Sequence, residues 1–313
     1  MEKYRCKICD NTQQNKDFIV KEMMYGLKEE FIYFQCASCG CLQITEPPQN
    51  LSKYYDIETY YSFQNISKNK LKTFLKFFIA ISYLNKINIF KYTGLPYYKN
   101  NISLWKKLRT IKKTSSILDV GCGNGHLLQE MYTWGYKNLT GLDNFIKNDI
   151  LYPSGIKIFK KDIFRHVKKY DFIMLHHSFE HMDTPHNVMK QLFAMLNPNG
   201  QLLIRIPLSD SYAWRKYGTD WFQIDAPRHF FLHTIKSMSI LALESNFILE
   251  EVYYDSQYKQ FTNSYKYSKG ISLYETMELS TDFIKACKKQ TKILNKLRDG
   301  DQACFYFKKR ELE

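Results

Sequence analysis

Three groups of residues in this 313-residue chain have types and spacing suited to chemistry. The first is a glycine loop, Asp119-Val120-Gly121-Cys122-Gly123-Asn124-Gly125, after the apolar run Ile117-Leu118. Glycines at alternate positions let a backbone come close to a ligand, and a following helix N-terminus offers free N–H groups. A dinucleotide-binding loop needs G-x-G-x-x-G, but here the sixth place is His126 and the third glycine is Gly125. The second group is rich in acids and histidines. Glu180-His181 follows the apolar run Tyr170–His176, and Trp221, Arg228 and His229 lie within Asp220–Thr234. A neutral imidazole titrates near operating pH, which makes His181 the first candidate for a general base. Glu180 beside it can orient the ring or act itself, and His229 is a rival base. Arg228 offers a two-pronged grip on phosphate or carboxylate, and Trp221 a face for a sugar to stack on. Read structurally, the Glu-His pair caps and packs the next helix, and the later cluster is a turn in which Thr234 caps a helix over 235–245.

Cysteines form a third group. Cys6-x-x-Cys9 and Cys36-x-x-Cys39 are separated by 26 residues that contain the strand-like runs Phe18-Ile19-Val20 and Phe31-Ile32-Tyr33-Phe34. That is the spacing of a zinc ribbon, with each pair on a knuckle and a β-hairpin between. Four thiolates close the coordination shell, so the zinc is expected to be structural. Cys41 is a fifth thiol that could replace Cys39.

Alternating strand and helix signals must position these residues. Short apolar runs at 116–120, 138–143, 157–160, 170–176 and 200–207 read as successive strands, with acids at Asp119, Asp143 and Asp162 at or just beyond the ends of the first three. Phe247–Tyr254 and Gln302–Phe307 read as two more. About 45 residues between them, 256–300, exceed what a hairpin needs and predict a helical insertion.

The pattern Asp119-x-Gly121-x-Gly123-x-Gly125 resembles motif I of class I S-adenosylmethionine (SAM)-dependent methyltransferases. Later motifs of that family follow in order over about residues 114–255: Asp143, Asp162, Glu180-His181-x-x-x-Pro185 and Leu196-x-Pro198-x-Gly200. The resemblance implies an α/β, Rossmann-like seven-stranded sheet with an antiparallel last strand. It also implies that the glycine loop and His176 lie near the methionine end of SAM. Asp143 would accept both ribose hydroxyls, and Asp162 the adenine amino group. The zinc module, Tyr60-Tyr61-Ser62-Phe63 and this core occur together in a family of bacterial methyltransferases, many tied to surface-glycan or sugar biosynthesis. The chain is also similar to zinc-containing sugar C-methyltransferases. Those carry a tyrosine two residues before the Glu, where this chain has Ser178.

Three regions are expected: a zinc module at 1–46, an aromatic and basic helical connector at 47–113, and the SAM domain at 114–313. The expected function is methyl transfer to the oxygen or carbon of a sugar or glycan-type small molecule, with SAM and structural Zn²⁺ as cofactors. The net charge of +14 favours a phosphate-bearing substrate or reflects a lysine-coated surface. The longest apolar stretch, Phe74–Leu84, contains a lysine and falls short of the ~20 residues that span a bilayer. A polar start, unlike a secretory signal, points to the reducing cytoplasm, where the cysteines are read as metal ligands or core residues rather than as disulfides. The connector is read as core rather than as a peripheral membrane element. RNA methylation is the main alternative, since zinc ribbons and basic charge occur there too. Against it, the basic residues are dispersed, and His177-Ser178-Phe179 departs from the N/D-P-P-Y/F of amino-directed nucleic-acid methylases. A non-catalytic scaffold is disfavoured by the intact glycine loop and Asp143.

Overall fold

The computed structural model describes residues 4–55, 70–87 and 96–310. The Tyr60–Phe63 phrase lies outside the described residues. Two compact units contain them: 4–55 with 177–189 and 205–305, and 70–87 with 96–176, 190–204 and 306–310.

In the first unit, β1 (Lys16–Lys21) and β2 (Glu30–Gln35) pair antiparallel, with Lys16 opposite Gln35 and Lys21 opposite Glu30. β3 (Leu42–Ile44) continues the meander on β2. Val20, Tyr33, Leu42 and Ile44 are buried, whereas Ile19 and Ile32 face solvent, as expected of a sheet with one packed face. A two-residue strand, β10 (Phe231–Leu232), pairs antiparallel with β3 and makes the sheet four-stranded. The cysteine module therefore shares a sheet with the segment just after His229.

In the second unit, α1 (Lys70–Leu84) and α2 (Pro96–Leu108) bury Ile79, Ala80, Tyr83, Leu104, Trp105 and Leu108. Their rings interlock: Tyr83 lies 5.9 Å from Trp105, and Trp105 lies 5.8 Å edge-on from Trp134. The opposite face of α1 leaves Phe74, Leu75 and Phe78 exposed.

β4 (Ile117–Val120) runs through the glycine loop into α3 (His126–Thr133), and β5 (Leu139–Asp143), β6 (Ile150–Leu151), β7 (Lys157–Lys160) and β8 (Tyr170–His176) follow. β4 pairs in parallel with β5 and β8, and β5 with β7. Then come α4 (Pro185–Ala194), β9 (Leu196–Pro207), α5 (Tyr212–Tyr217), α6 (Ile235–Glu244), β11 (Phe247–Tyr254), α7 (Lys259–Tyr267), α8 (Thr281–Leu297) and β12 (Gln302–Lys309). The strand order is β11-β12-β9-β8-β4-β5-β7-β6. Eight strands replace the expected seven. The extra one is β6, an antiparallel edge strand on β7. Two residues carry no alternation to read, so it left no signal in the sequence. The central strands are buried: every residue of β4 is buried, Asp119 included, and Phe172 to Leu175 of β8 are at 0% exposure. Strands covered on both faces read this way. The helices of the expected insertion are α7 and α8.

Candidate active site and metal centre

The loop between β4 and α3 is held open by its glycines. Gly121, Gly123 and Gly125 all have positive φ. At Gly125 a Cβ would also fall 2.5 Å from Ile158 Cδ1, so no side chain fits. Gly123 N–H donates to Asp143 Oδ2 at 2.8 Å, and Phe145 N–H donates to Oδ1 at 2.8 Å. The acid at the end of β5 thus fastens the glycine loop. Each carboxylate oxygen keeps a further lone pair for a ligand hydroxyl. Asp119 is 3% exposed, and burial together with the nearby Asp143 pushes its carboxyl up to about 8. Burial also raises Asp143, against the pull of its backbone donors. A loop with glycine at alternate positions, a helix N-terminus and two strand-end acids suit an adenosyl cofactor with ribose hydroxyls and a cationic end. Asp162 spends Oδ1 on Phe164 N–H at 2.8 Å, capping the short turn Ile163–Arg165. His176 closes β8 and is half-buried.

From His176 the chain passes directly into a second polar cluster, at 177–181. Glu180 is fully buried and lies 3.3 Å from His177 Nδ1 and 3.9 Å from His229 Nε2. Burial alone would raise its carboxyl, but His177, His229 and His181 pull it down to about 2, so it is charged. His177 Nε2 accepts from Arg205 Nη1 at 2.9 Å, and Arg205 Nε donates to Asp255 at 2.8 Å.

The tautomers of His181 and His229 follow from their partners. His181 Nδ1 lies 2.8 Å from the Arg228 carbonyl and 3.0 Å from Tyr55 Oη. A carbonyl only accepts, so Nδ1 carries the proton and Nε2 the lone pair. His229 Nδ1 lies 2.7 Å from the Gln223 carbonyl, which fixes the same tautomer. The two rings meet edge to face at 4.6 Å. Burial, and then the neighbouring His229, lower the His181 pKa to about 4, so it is neutral at pH 7 and titrates well below the operating range expected from its residue type.

Two expected substrate residues are placed elsewhere. Arg228 is 0% exposed. Its guanidinium donates to Asp225 at 2.6 and 3.0 Å, to Glu22 Oε1 at 2.9 Å and to the Tyr54 carbonyl at 3.1 Å. The fork grips a protein carboxylate, not a substrate phosphate, because an arginine with no water around it must find its anions inside the fold. Trp221 is 1% exposed and donates Nε1–H to Asp301 at 3.1 Å, so it has no free face for a sugar. Thr234 caps α6 by accepting from Ser237 N–H at 3.0 Å.

The four front cysteines converge. Cys6 Sγ lies 3.6 Å from Cys39 Sγ, and Cys9 Sγ lies 3.5 Å from Cys36 Sγ. These gaps are far beyond a disulfide bond of about 2.05 Å. They approach the ~3.8 Å between sulfurs around a tetrahedral zinc with Zn–S of about 2.3 Å. Cys6 Sγ also accepts from Ile8 N–H at 3.3 Å and Gln43 Nε2 at 2.9 Å, as a thiolate would. Cys41 is outside the cluster; it is fully buried beside His233, and burial raises its thiol far above the usual range. The donor set fits zinc, with Cys39 as fourth ligand.

Sequence reasoning missed Glu22, Tyr55, Arg205 and Asp255, whose single positions carry no motif. Asp225 stood in view beside Arg228 but gave no sign of being its partner.

Residues 97–252 match the family model for a methyltransferase domain. A tRNA U34 carboxymethyltransferase of Nautilia profundicola is 32% identical over 106 residues, 29% of this chain and 34% of that protein. The chain thus spans about a third of the length of this curated relative. A SAM-dependent methyltransferase structure from Archaeoglobus fulgidus matches at 16% identity over 70% of this chain and 97% of that one, with a TM-score of 0.43. The 1,6-didemethyltoxoflavin-N1-methyltransferase of Burkholderia thailandensis matches at 11% identity over 79% and 92%, also with a TM-score of 0.43. The family match falls on the stretch that carries the glycine loop, the strand-end acids and the Glu180 cluster, and this stretch is a methyltransferase domain.

Proposed function

We propose that the enzyme methylates an oxygen or carbon of a sugar or glycan-type small molecule. The observation that supports this is the Glu180–His181–His229 cluster, in which His181 keeps the lone pair of Nε2 beside a buried carboxylate. An acceptor hydroxyl or acidified ring carbon must lose a proton as it attacks, whereas SAM arrives already activated. His181 Nε2 takes that proton in this reading. The acceptor forms its bond to the methyl carbon, and the C–S bond breaks with its electron pair left on sulfur. Charged Glu180 and the Arg228 carbonyl steady the imidazolium that results. Asp143 holds the ribose of SAM, with Asp119 and the glycine loop at its methionine end and Asp162 at the adenine.

A second reading, an RNA acceptor, is favoured by the tRNA-modifying relative and by the +14 net charge. One assay separates them: methyl transfer from labelled SAM to a panel of nucleotide-linked sugars and to bulk tRNA, with the product methyl located by NMR. Transfer to sugars, with kcat lowered ~10²–10⁴-fold in His181→Ala, is the expected result. Transfer to tRNA alone would replace this reading with the second.

A further inference from the structure

We propose that Glu180, His181 and His229 form a second, open divalent-metal site, separate from the cysteine site. Three observations converge. First, one ligand atom from each residue lies within 4.8 Å of the others, and His229 Nε2 is 3.9 Å from Glu180 Oε1. Ligands at ~2.0–2.2 Å from one ion stand roughly 3–4 Å apart, so a side-chain shift of under about 1 Å closes the site.

Second, both imidazoles hold the tautomer that metal ligation requires. Each donates Nδ1–H to a backbone carbonyl, of Arg228 or Gln223, and Nε2 makes no hydrogen bond among the described residues. Metal-bound histidines are oriented in this way by the hydrogen bond of the other nitrogen.

Third, the Glu180 carboxylate is at 0% exposure and neither oxygen has a hydrogen-bond partner among the described residues. Its nearest charged or chargeable neighbours are the imidazoles of His177, at 3.3 Å, and His229, at 3.9 Å. A buried charge of this kind is paired or coordinates a metal. A cation between Glu180 and the two Nε2 atoms would supply a full countercharge, which neutral imidazoles do not.

Two imidazoles and one carboxylate suit a first-row transition ion such as Zn²⁺, Mn²⁺ or Fe²⁺ and leave coordination positions open. The cysteine site is all sulfur and closed. What the ion would do rests on the proposed function: it would hold an acceptor oxygen and acidify it so that its proton leaves to solvent, with the His181 Nε2 lone pair spent on the ion instead of on the proton. Its existence does not rest on that reading.

The test uses the full-length protein with its cysteine site filled by zinc. Co²⁺ is then added, and visible absorption is followed without SAM or acceptor. The expected result is one further equivalent of Co²⁺, with weak d–d bands and no intense thiolate charge-transfer band. Glu180→Gln and His181→Ala should each weaken it by roughly 10–100-fold or more, while bound zinc per chain is unchanged. His181 is only half-buried, so its variant keeps the test alive should Glu180→Gln fail to fold. Absence of d–d bands at millimolar Co²⁺, or equal binding by wild type and His181→Ala, would overturn the proposal. Neither outcome bears on whether the protein methylates a sugar.

Discussion

Replacing Arg228 by lysine separates a grip on substrate from a tie inside the protein. The guanidinium makes four hydrogen bonds of 2.6–3.1 Å, three to the carboxylates of Asp225 and Glu22 and one to the Tyr54 carbonyl. A lysine keeps the charge but cannot reproduce the fork. Its ammonium reaches one carboxylate and leaves the other short of a partner. Glu22 would keep the backbone N–H groups of Tyr25 and Leu27, both at 3.0 Å, so its loss is cushioned. About two charge-assisted bonds disappear, at ~1.5–3 kcal/mol each. Breaking a buried ion pair costs ~3–5 kcal/mol, and the retained charge argues for the lower end, about 3 kcal/mol. At 2–4 °C per kcal/mol for a large domain, the melting temperature should fall by roughly 6–12 °C. Thermal and urea unfolding measure this directly. Below the melting range, the acceptor KM should match wild type. An unchanged melting temperature with a several-fold rise in KM would refute the reasoning and return Arg228 to the substrate.

Asp143→Asn should weaken SAM binding by about 1.5–3 kcal/mol, because it removes the charged acceptor and loosens Gly123; calorimetry showing wild-type affinity would remove Asp143 from the site. Cys36→Ser should lose zinc and lower stability, and elemental analysis of freshly purified, reduced wild type that finds no zinc would end the ribbon assignment. Asp119 has its folded pKa raised from 3.8 to about 8, so its protonated form is favoured by folding. Its contribution is full below pH 3.8 and is lost as pH rises through about 8. Asp119→Asn should therefore gain stability relative to wild type between pH 5 and pH 9, read as urea midpoints, and an equal response in both proteins would contradict the burial argument.

Most of the fold was legible because the strands around SAM are buried on both faces. Apolar runs such as Ile117–Val120 and Phe172–Leu175 need no long-range information to recognise, and neither do glycines that no side chain can replace. Partnerships across the chain were not legible. Arg228 and Glu22 are 206 positions apart, and nothing local in Lys21-Glu22-Met23 marks a buried acid. A lone arginine near a strand end reads equally as a phosphate fork or as half of an ion pair, and only burial decides. Trp221 failed for the same reason, since a tryptophan's size says nothing about whether its face is covered. The pairing of β3 with β10 escaped because two residues give no alternation to read.

Those long-range partnerships explain why the cysteine module belongs to this enzyme rather than being an appended tag. Four contacts join it to the segment that carries His229. β3 pairs with β10 directly after that histidine, and Tyr33 Oη donates to the His229 carbonyl at 2.8 Å. Glu22 holds Arg228, and Thr234 Oγ1 donates to the Cys39 carbonyl at 2.6 Å. Tyr33 is 0% exposed, so its hydroxyl has no water to fall back on. A hairpin of two six-residue strands cannot hold such contacts on its own apolar area, and a metal on the four cysteines would supply the rigidity that it lacks. Zinc loss should therefore reach methyl transfer before the whole chain unfolds. Tyr33→Phe isolates this link while leaving the cysteines untouched. The lost bond leaves a buried carbonyl unpaired, at about 1–3 kcal/mol. kcat should fall while SAM affinity and zinc content stay at wild-type values. Equal kcat in Tyr33→Phe and wild type would show that the module holds itself together and positions nothing.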